Sequence, residues 1–235
     1  MLSLLRSVVT DIGLGQLEKD KEKLFHIYLR ELQIWNKKFN LTAYESEREI
    51  VIYHFIDSLL PLPFFPIKEG NLIDIGSGAG LPGIPLKIFN PSFSLHLLEA
   101  NKKRILFLKH IREKLKMDFE ILEGRAEDLG RNPQYRERFS LAVARAVAPL
   151  PVLLEYSLPF LKVGGFFIAY KGPKLEEELK ESRRALSILG GKVLDVKGTI
   201  LPFVEEKRMF LFVFKERETP ENYPRRAGIP AKRPL

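Results

Sequence analysis

The residues best suited to chemistry lie between Leu72 and Leu86, where LIDIGSGAGLPGIPL carries an apolar strand into glycines and then into a helix. Gly76, Gly78 and Gly80 lack the Cβ that would hold a ligand away from the backbone, and a helix start offers unpaired amides and the positive end of its dipole. Such a turn binds a nucleotide-like ligand. In an open α/β sheet the ligand lies beyond the carboxyl ends of the strands, where strand order reverses. Two registers fit the glycines: from Gly78, Gly80 and Gly83 complete G-x-G-x-x-G, whereas from Gly76 the pattern is G-x-G-x-G. The second is preferred, because it starts where the strand stops and gives the strand's Asp74 a place. Glu99 ends the next apolar run about 20 residues on, where an acid serves the ribose of NAD and of S-adenosylmethionine equally.

Two later segments add candidates. GRAEDL, residues 124 to 129, follows the third apolar run, and its backbone with Glu127 or Asp128 can meet an adenine edge. ARAVAPL, residues 144 to 150, ends the fourth, so Arg145 projects into the mouth of the site. Its fork of donors suits a carboxylate, a phosphate or a guanine edge.

The elements around these residues follow from hydrophobic period. Leu24, Tyr28, Leu32, Trp35 and Phe39 recur at helical spacing over 20–39, and a second helix runs from about Ser46 to the prolines at 61–66. Short apolar runs at 72–75, 93–98, 119–122, 141–144 and 166–170 then alternate with helical stretches at 82–89, 102–116, 149–161 and 174–189. Such alternation predicts an α/β fold with a mainly parallel sheet and helices on both faces. Runs at 192–201 and 208–215 follow without a helix between them, so that pair is expected to be antiparallel. Residues 1–70 then form a helical amino-terminal cap, 71–218 the main domain, and 219–235, rich in proline, glycine and arginine, an extended basic arm packed on or beside that domain.

Composition narrows the function. The 235 residues include no cysteine, which removes disulfide scaffolds, cysteine-ligated zinc and thiolate nucleophiles. No apolar run reaches the length of a membrane span, Arg6 and Asp11 interrupt any signal-peptide core, and the expected setting is cytoplasmic. The charge of 38 − 30 = +8 makes a polyanion the first partner to consider. Its positive residues concentrate in the helix Lys102–Lys116, read as a solvated face rather than an RNA patch, and in the arm with Arg225, Arg226, Lys232 and Arg233, read as touching phosphate.

Taken together, these residues resemble the bacterial glucose-inhibited division protein B family of small-subunit ribosomal RNA guanine-N7 methyltransferases. The resemblance rests on Asn36–Lys37, Asn40–Thr42, His54, Asp57, Ser58, the whole of 72–86, LLEANKKRILFL at 97–108, residues 124–127 and 145–148, Lys171–Gly172 and the tail 223–235. It implies a Rossmann-like S-adenosylmethionine-dependent methyltransferase fold acting on a guanine in the decoding-region loop of 16S ribosomal RNA, with S-adenosylhomocysteine as product. By matching motif, Gly76, Gly78 and Leu81 line the methionine and ribose part of the cofactor site. Glu99 holds the ribose, Ala126 and Glu127 flank the adenine, and Arg145 sits between cofactor and substrate as a positioning residue. RNA or substrate contacts fall to Asn40, His54, Asp57, Ser58, Lys171, Arg225 and Arg226. A half-buried histidine held in the core is the competing reading of His54, and local hydrogen bonding that of Asp57 and Ser58.

Guanine N7 has an in-plane lone pair and no proton, so no proton acceptor is expected. The Asp/Asn-Pro-Pro-aromatic motif, which resembles the signature of exocyclic amino methyltransferases, is absent. No metal is expected, and the default assembly is a monomer bound to 16S ribosomal RNA or the small ribosomal subunit. Two other classes compete: a dinucleotide-dependent oxidoreductase, on the first glycine register, and a non-catalytic RNA-binding protein on a relic fold.

Overall fold

Alternation along the strands sorts the apolar residues onto two buried faces of one sheet. Leu72, Leu95, Leu97, Val143, Ile168 and Phe212 face one core, while Ile73, Ile75, Leu98, Ala142, Phe167 and Val213 face the other. The computed structural model describes residues Leu2–Leu235.

The chain begins with α1 (Leu2–Asp11) and α2 (Lys19–Phe39). Then α3 (Glu47–Ile50) starts on a Ser46/Glu49 capping box and continues through a π-helical segment, Val51–Ile56, into α4 (Asp57–Leu59). The expected second helix is therefore present but widened in its middle, a departure common beside functional sites. The sheet follows as β1 (Gly70–Ile75), α5 (Gly83–Phe89), β2 (Phe93–Glu99), α6 (Lys102–Leu115), β3 (Glu120–Glu123), α7 (Ala126–Leu129), β4 (Phe139–Arg145), α8 (Leu150–Ser157) and β5 (Leu161–Lys171). The helical stretch expected over 174–189 is two helices, α9 (Leu175–Glu181) and α10 (Arg183–Leu189). They part at buried Ser182, whose hydroxyl bonds back to Glu178 O at 2.6 Å. β6 (Gly191–Leu201), β7 (Glu206–Lys215) and α11 (Ile229–Lys232) complete the chain.

Sheet order is β3-β2-β1-β4-β5-β7-β6, with β1 to β5 parallel and β7 antiparallel to both neighbours. Order reverses between β2 and β4, at β1, which sets the switch point at the glycine turn.

Helices α1 and α2 lie on the first face, with α5 and α6, and share its core: Phe25, Tyr28 and Phe55 cluster with Leu72 and Leu95. Tyr28 packs on Phe55 at 5.2 Å and Phe107 at 6.4 Å, and its hydroxyl donates to Ala79 O at 2.6 Å. The amino-terminal helices thus brace the glycine turn directly.

Residues 219–235 are mostly irregular and pack on the domain, with one short helix that the composition does not suggest. They bury Thr219, Pro224 and Pro230.

Candidate functional site

A cavity of about 480 Å³ opens where the glycine turn, the carboxyl ends of β4 and β5, and the π-helical segment meet. Its wall includes Gly76, Gly78 and Leu81 from the turn, Arg145 and Lys171 from the strand ends, and His54 and Asp57 from the cap. Three parts of the chain far apart in sequence are thus brought together as expected.

The turn is built so that one glycine faces open space and others face packed side chains. Gly76, Gly78 and Gly80 all have positive φ, at +67°, +59° and +92°. A Cβ on Gly76 would lie 2.9 Å from Val147 Cγ2, and one on Gly80 would overlap Ile84, whereas one on Gly78 would meet only Gly76 O, at 4.0 Å. Gly78 is therefore the position left open. Ser77 holds the turn to the neighbouring strand, its amide donating to Leu98 O at 3.0 Å.

The start of α5 does not offer free amides, contrary to the sequence expectation. Gly83 N–H donates to Asp74 Oδ2 at 2.8 Å and Ile84 N–H to Gly80 O at 2.8 Å, so Asp74 caps the helix from inside. Asp74 is wholly buried, and burial pushes it up to about 7. Its Oδ1 and the hydroxyl of Ser77 are buried and have no hydrogen-bond partner among the described residues. Neither atom reaches the surface, so the cradle that a polar ligand can enter is formed by the open Gly78 itself.

Glu99 stands at the end of β2, just behind the turn. Its Oε2 accepts Gly78 N–H at 2.8 Å, and its Oε1 accepts Ala100 and Asn101 N–H at 2.9 and 2.8 Å. Next along the sheet edge, Ala126 and Glu127 open α7, reached through the Gly124 N–H bond to Glu99 O. Glu127 is buried; burial pushes its carboxyl up, but donation from Arg125 and from Gly228 N–H outweighs this and leaves it below the usual range.

Arg145 turns toward the cap. Its Nη1 donates to Asp57 Oδ2 at 2.7 Å and to Tyr53 O at 3.1 Å, and its Nη2 lies 3.4 Å from His54 Nδ1. Asp57 also accepts from Arg208 Nε at 3.0 Å, and Arg208 pairs with Glu206, which accepts the Tyr53 hydroxyl at 2.8 Å. His54 is buried with Nε2 2.6 Å from the Thr42 hydroxyl; burial, then the Arg145 charge, push it down to about 3. It is a neutral imidazole at neutral pH.

Thr42, one of the residues that carry the resemblance, lines the cavity, and so do Tyr44, Tyr53 and Arg208, which the residue pattern did not single out. Tyr44 and Tyr53 stack at 4.2 Å with their planes 2° apart. Asn36 folds the intervening loop, its Oδ1 accepting Thr42 N–H at 2.8 Å. Asn40 caps α2 in a left-handed conformation, φ 49°, and is exposed outside the cavity wall. Ser58 is fully buried with its hydroxyl on His54 O at 2.5 Å, so it tightens the helix and does not reach a substrate. Lys171 is paired with Glu178 at 2.6 Å. Arg225 is committed to the buried Glu155, leaving Arg226 as the exposed member of that pair. On α6 the cations face solvent over a buried Ile105, Phe107, Leu108 and Ile111 row, and Arg104 alone of that helix reaches the cavity.

Comparison with known proteins decides the family. The family described as rRNA small subunit methyltransferase G, GidB, matches residues 21–207. The chain belongs to the GidB family. A relative from Acetivibrio thermocellus named ribosomal RNA small subunit methyltransferase G is 48% identical over 225 residues, 95% of this chain and 93% of that protein. One of the same name from Dictyoglomus thermophilum is 45% identical over 236 residues, 99% and 96% of the two chains. Among solved structures, the M. jannaschii TYW2 protein in complex with AdoMet aligns with TM-score 0.52 and 14% identity over 68% of this chain and 74% of that one. At that identity the likeness shows the Rossmann-like fold alone. Among the described residues of this GidB chain, no helix is long and apolar enough to cross a membrane, and no group of three or more His, Asp or Glu is placed to hold a metal.

Proposed function

We propose that the protein transfers a methyl group from S-adenosylmethionine to N7 of a guanine in the decoding-region loop of 16S ribosomal RNA, leaving S-adenosylhomocysteine. The observation that carries this reading is a single cavity walled by the open glycine turn on one side and by the cap's Thr42, Tyr44, Tyr53 and His54 on the other. The open Gly78, with Gly76, Ser77 and Leu81 beside it on the cavity wall, fits the polar methionine end of the cofactor. Glu99 is assigned to the ribose and Ala126–Glu127 to the adenine, along the same strand-end edge.

S-adenosylmethionine supplies, when bound, a sulfonium methyl that is electrophilic without further activation. Guanine N7 brings its own lone pair, so the residues have to align the base and tolerate the positive charge it acquires. The cap is suited to both. The Tyr44–Tyr53 stack and Thr42 offer an aromatic and polar wall to a base. Neutral His54 adds no cation, and Asp57 and Glu206 together offset Arg145 and Arg208, so the cavity does not oppose a cationic purine. Asn40, Lys171 and Arg226 remain candidates for RNA contact; Arg225 and Ser58 are withdrawn on the geometry above.

The test is methylation of 16S ribosomal RNA and of small subunits by purified protein with labelled S-adenosylmethionine, with the product nucleoside identified by mass spectrometry. N7-methylguanosine is the expected product. Methyl transfer to another atom, no transfer, or thermal stabilisation by NAD in place of S-adenosylhomocysteine overturns the proposal.

A further inference from the structure

The terminal arginines suggest a phosphate-binding arm, yet in the structure the polar contacts of residues 219–235 run inward. Glu155, fully buried on α8, receives Arg225 N–H at 2.7 Å, Nε at 2.9 Å and Nη2 at 2.6 Å. Arg136 donates to Tyr223 O at 2.7 Å, and Arg131 Nε to Pro224 O at 2.6 Å. Gly228 N–H donates to Glu127 Oε1 at 2.9 Å. The grip falls on both ends of one short element: Glu127 lies in the first turn of α7, and Arg131 follows just after it.

A buried carboxylate with a charged partner supplied only by a chain terminus keeps that terminus docked, because undocking leaves the charge unpaired in the interior. The docked segment then holds α7 through Glu127, and α7 is where β3 hands the chain to the site. Residues 219–235 also lie outside the part of the chain that the family match spans, 21–207.

We infer that residues 219–235 are a positioning element of the cofactor site, holding Ala126 and Glu127 where the adenine is received. This rests on the reading that these two residues flank the adenine. By linkage, an element that orders a binding turn is itself ordered when the ligand binds.

Two measurements test it. Gly228→Pro removes the N–H that Glu127 accepts and excludes the native φ of +82°, while leaving Arg225 on Glu155. Calorimetry with S-adenosylhomocysteine is expected to show about a tenfold loss of affinity, the worth of one hydrogen bond to a charged group, while affinity for 16S ribosomal RNA stays within about twofold. A chain ending at Glu218 should lose more cofactor affinity still. In the unaltered protein, S-adenosylhomocysteine should slow hydrogen exchange at the Gly228 amide by more than at amides of similar protection far from the site, a readout that a merely structural tail would not give and that does not require either variant to fold. Unchanged cofactor affinity, with or without loss of RNA affinity, or Gly228 exchange that responds to RNA and not to S-adenosylhomocysteine, overturns the inference. If the unaltered protein binds no S-adenosylhomocysteine, it is the cofactor assignment that fails.

Discussion

Arg145 and Asp57 meet at 2.7 Å across the seam between the sheet and the cap, and the same carboxylate takes Arg208 at 3.0 Å. The arginine at the end of β4, which its position suggests as a ligand-facing group, thus also ties the cap wall of the cavity to the sheet wall. One anion holds two cations that would otherwise repel each other at the rim of the cavity.

Asp57→Asn keeps the shape and removes the charge. Both arginine side chains and Asp57 are largely buried, with side-chain exposures of 13%, 19% and 7%. Breaking a buried pair from one side is expected to cost about 3 kcal/mol, read from urea unfolding. A loss under about 1 kcal/mol would show the seam to be an exposed pairing of little weight.

The strand pattern and the glycine turn were legible because burial on both faces writes itself as continuous apolar runs, and because positive φ at close approach calls for glycine. Of the cap's wall the resemblance names Thr42, His54 and Asp57, and the rest is hidden for a different reason. Arg208 reaches Asp57 through the antiparallel return of β7, 151 residues away, and no local period encodes such a contact. Tyr44 sits in a loop shaped by Asn36, where polar spacing carries no signature of its own. In the arm only Arg225 departs from the expected phosphate contact, since charge alone does not reveal a buried Glu155 awaiting it.

Asp74 and His54 tilt the pH dependence of stability in opposite directions. Asp74 is pushed up to about 7 from 3.8, so the folded protein holds the extra proton in that window and stability falls as pH rises through it. His54 is pushed down to about 3 from 6.5, so the unfolded chain holds the extra proton and stability falls as pH drops below 6.5. Asp74→Asn removes the first effect alone. Its stability is therefore expected to climb more steeply than the parent's between about pH 4 and pH 6.5, by at most about 1.4 kcal/mol per pH unit. Parallel unfolding curves for the two proteins would mean that Asp74 is already ionised in the fold.

Gly78→Ala and Gly80→Ala separate ligand space from core space. At Gly78 a methyl group meets nothing closer than 4.0 Å, so the left-handed φ of +59° alone costs about 1–2 kcal/mol while the methyl fills the cradle. Cofactor binding should fall out of proportion to stability. At Gly80 the methyl collides with Ile84 in the core, adding about 1–3 kcal/mol of overpacking to the backbone strain. Calorimetry with S-adenosylhomocysteine beside thermal unfolding checks both; equal ligand loss in the two variants would remove Gly78 from the cradle.

Glu99 has a double task in the proposed site, and the two parts can be measured apart. Three of the roughly four acceptor positions of a carboxylate are taken by Gly78, Ala100 and Asn101 amides, which leaves one on Oε2 for a ribose hydroxyl. Glu99→Ala is expected to weaken S-adenosylhomocysteine binding by about 1–3 kcal/mol. Part of that loss comes from the released Gly78 amide, and part from the ribose. Measuring a ribose-deoxygenated analogue against both the parent and Glu99→Ala isolates the second part, because a direct contact makes the two losses non-additive. Coupling near zero with a large loss for the variant would assign Glu99 to the turn alone; unchanged affinity for S-adenosylhomocysteine would take it out of the site.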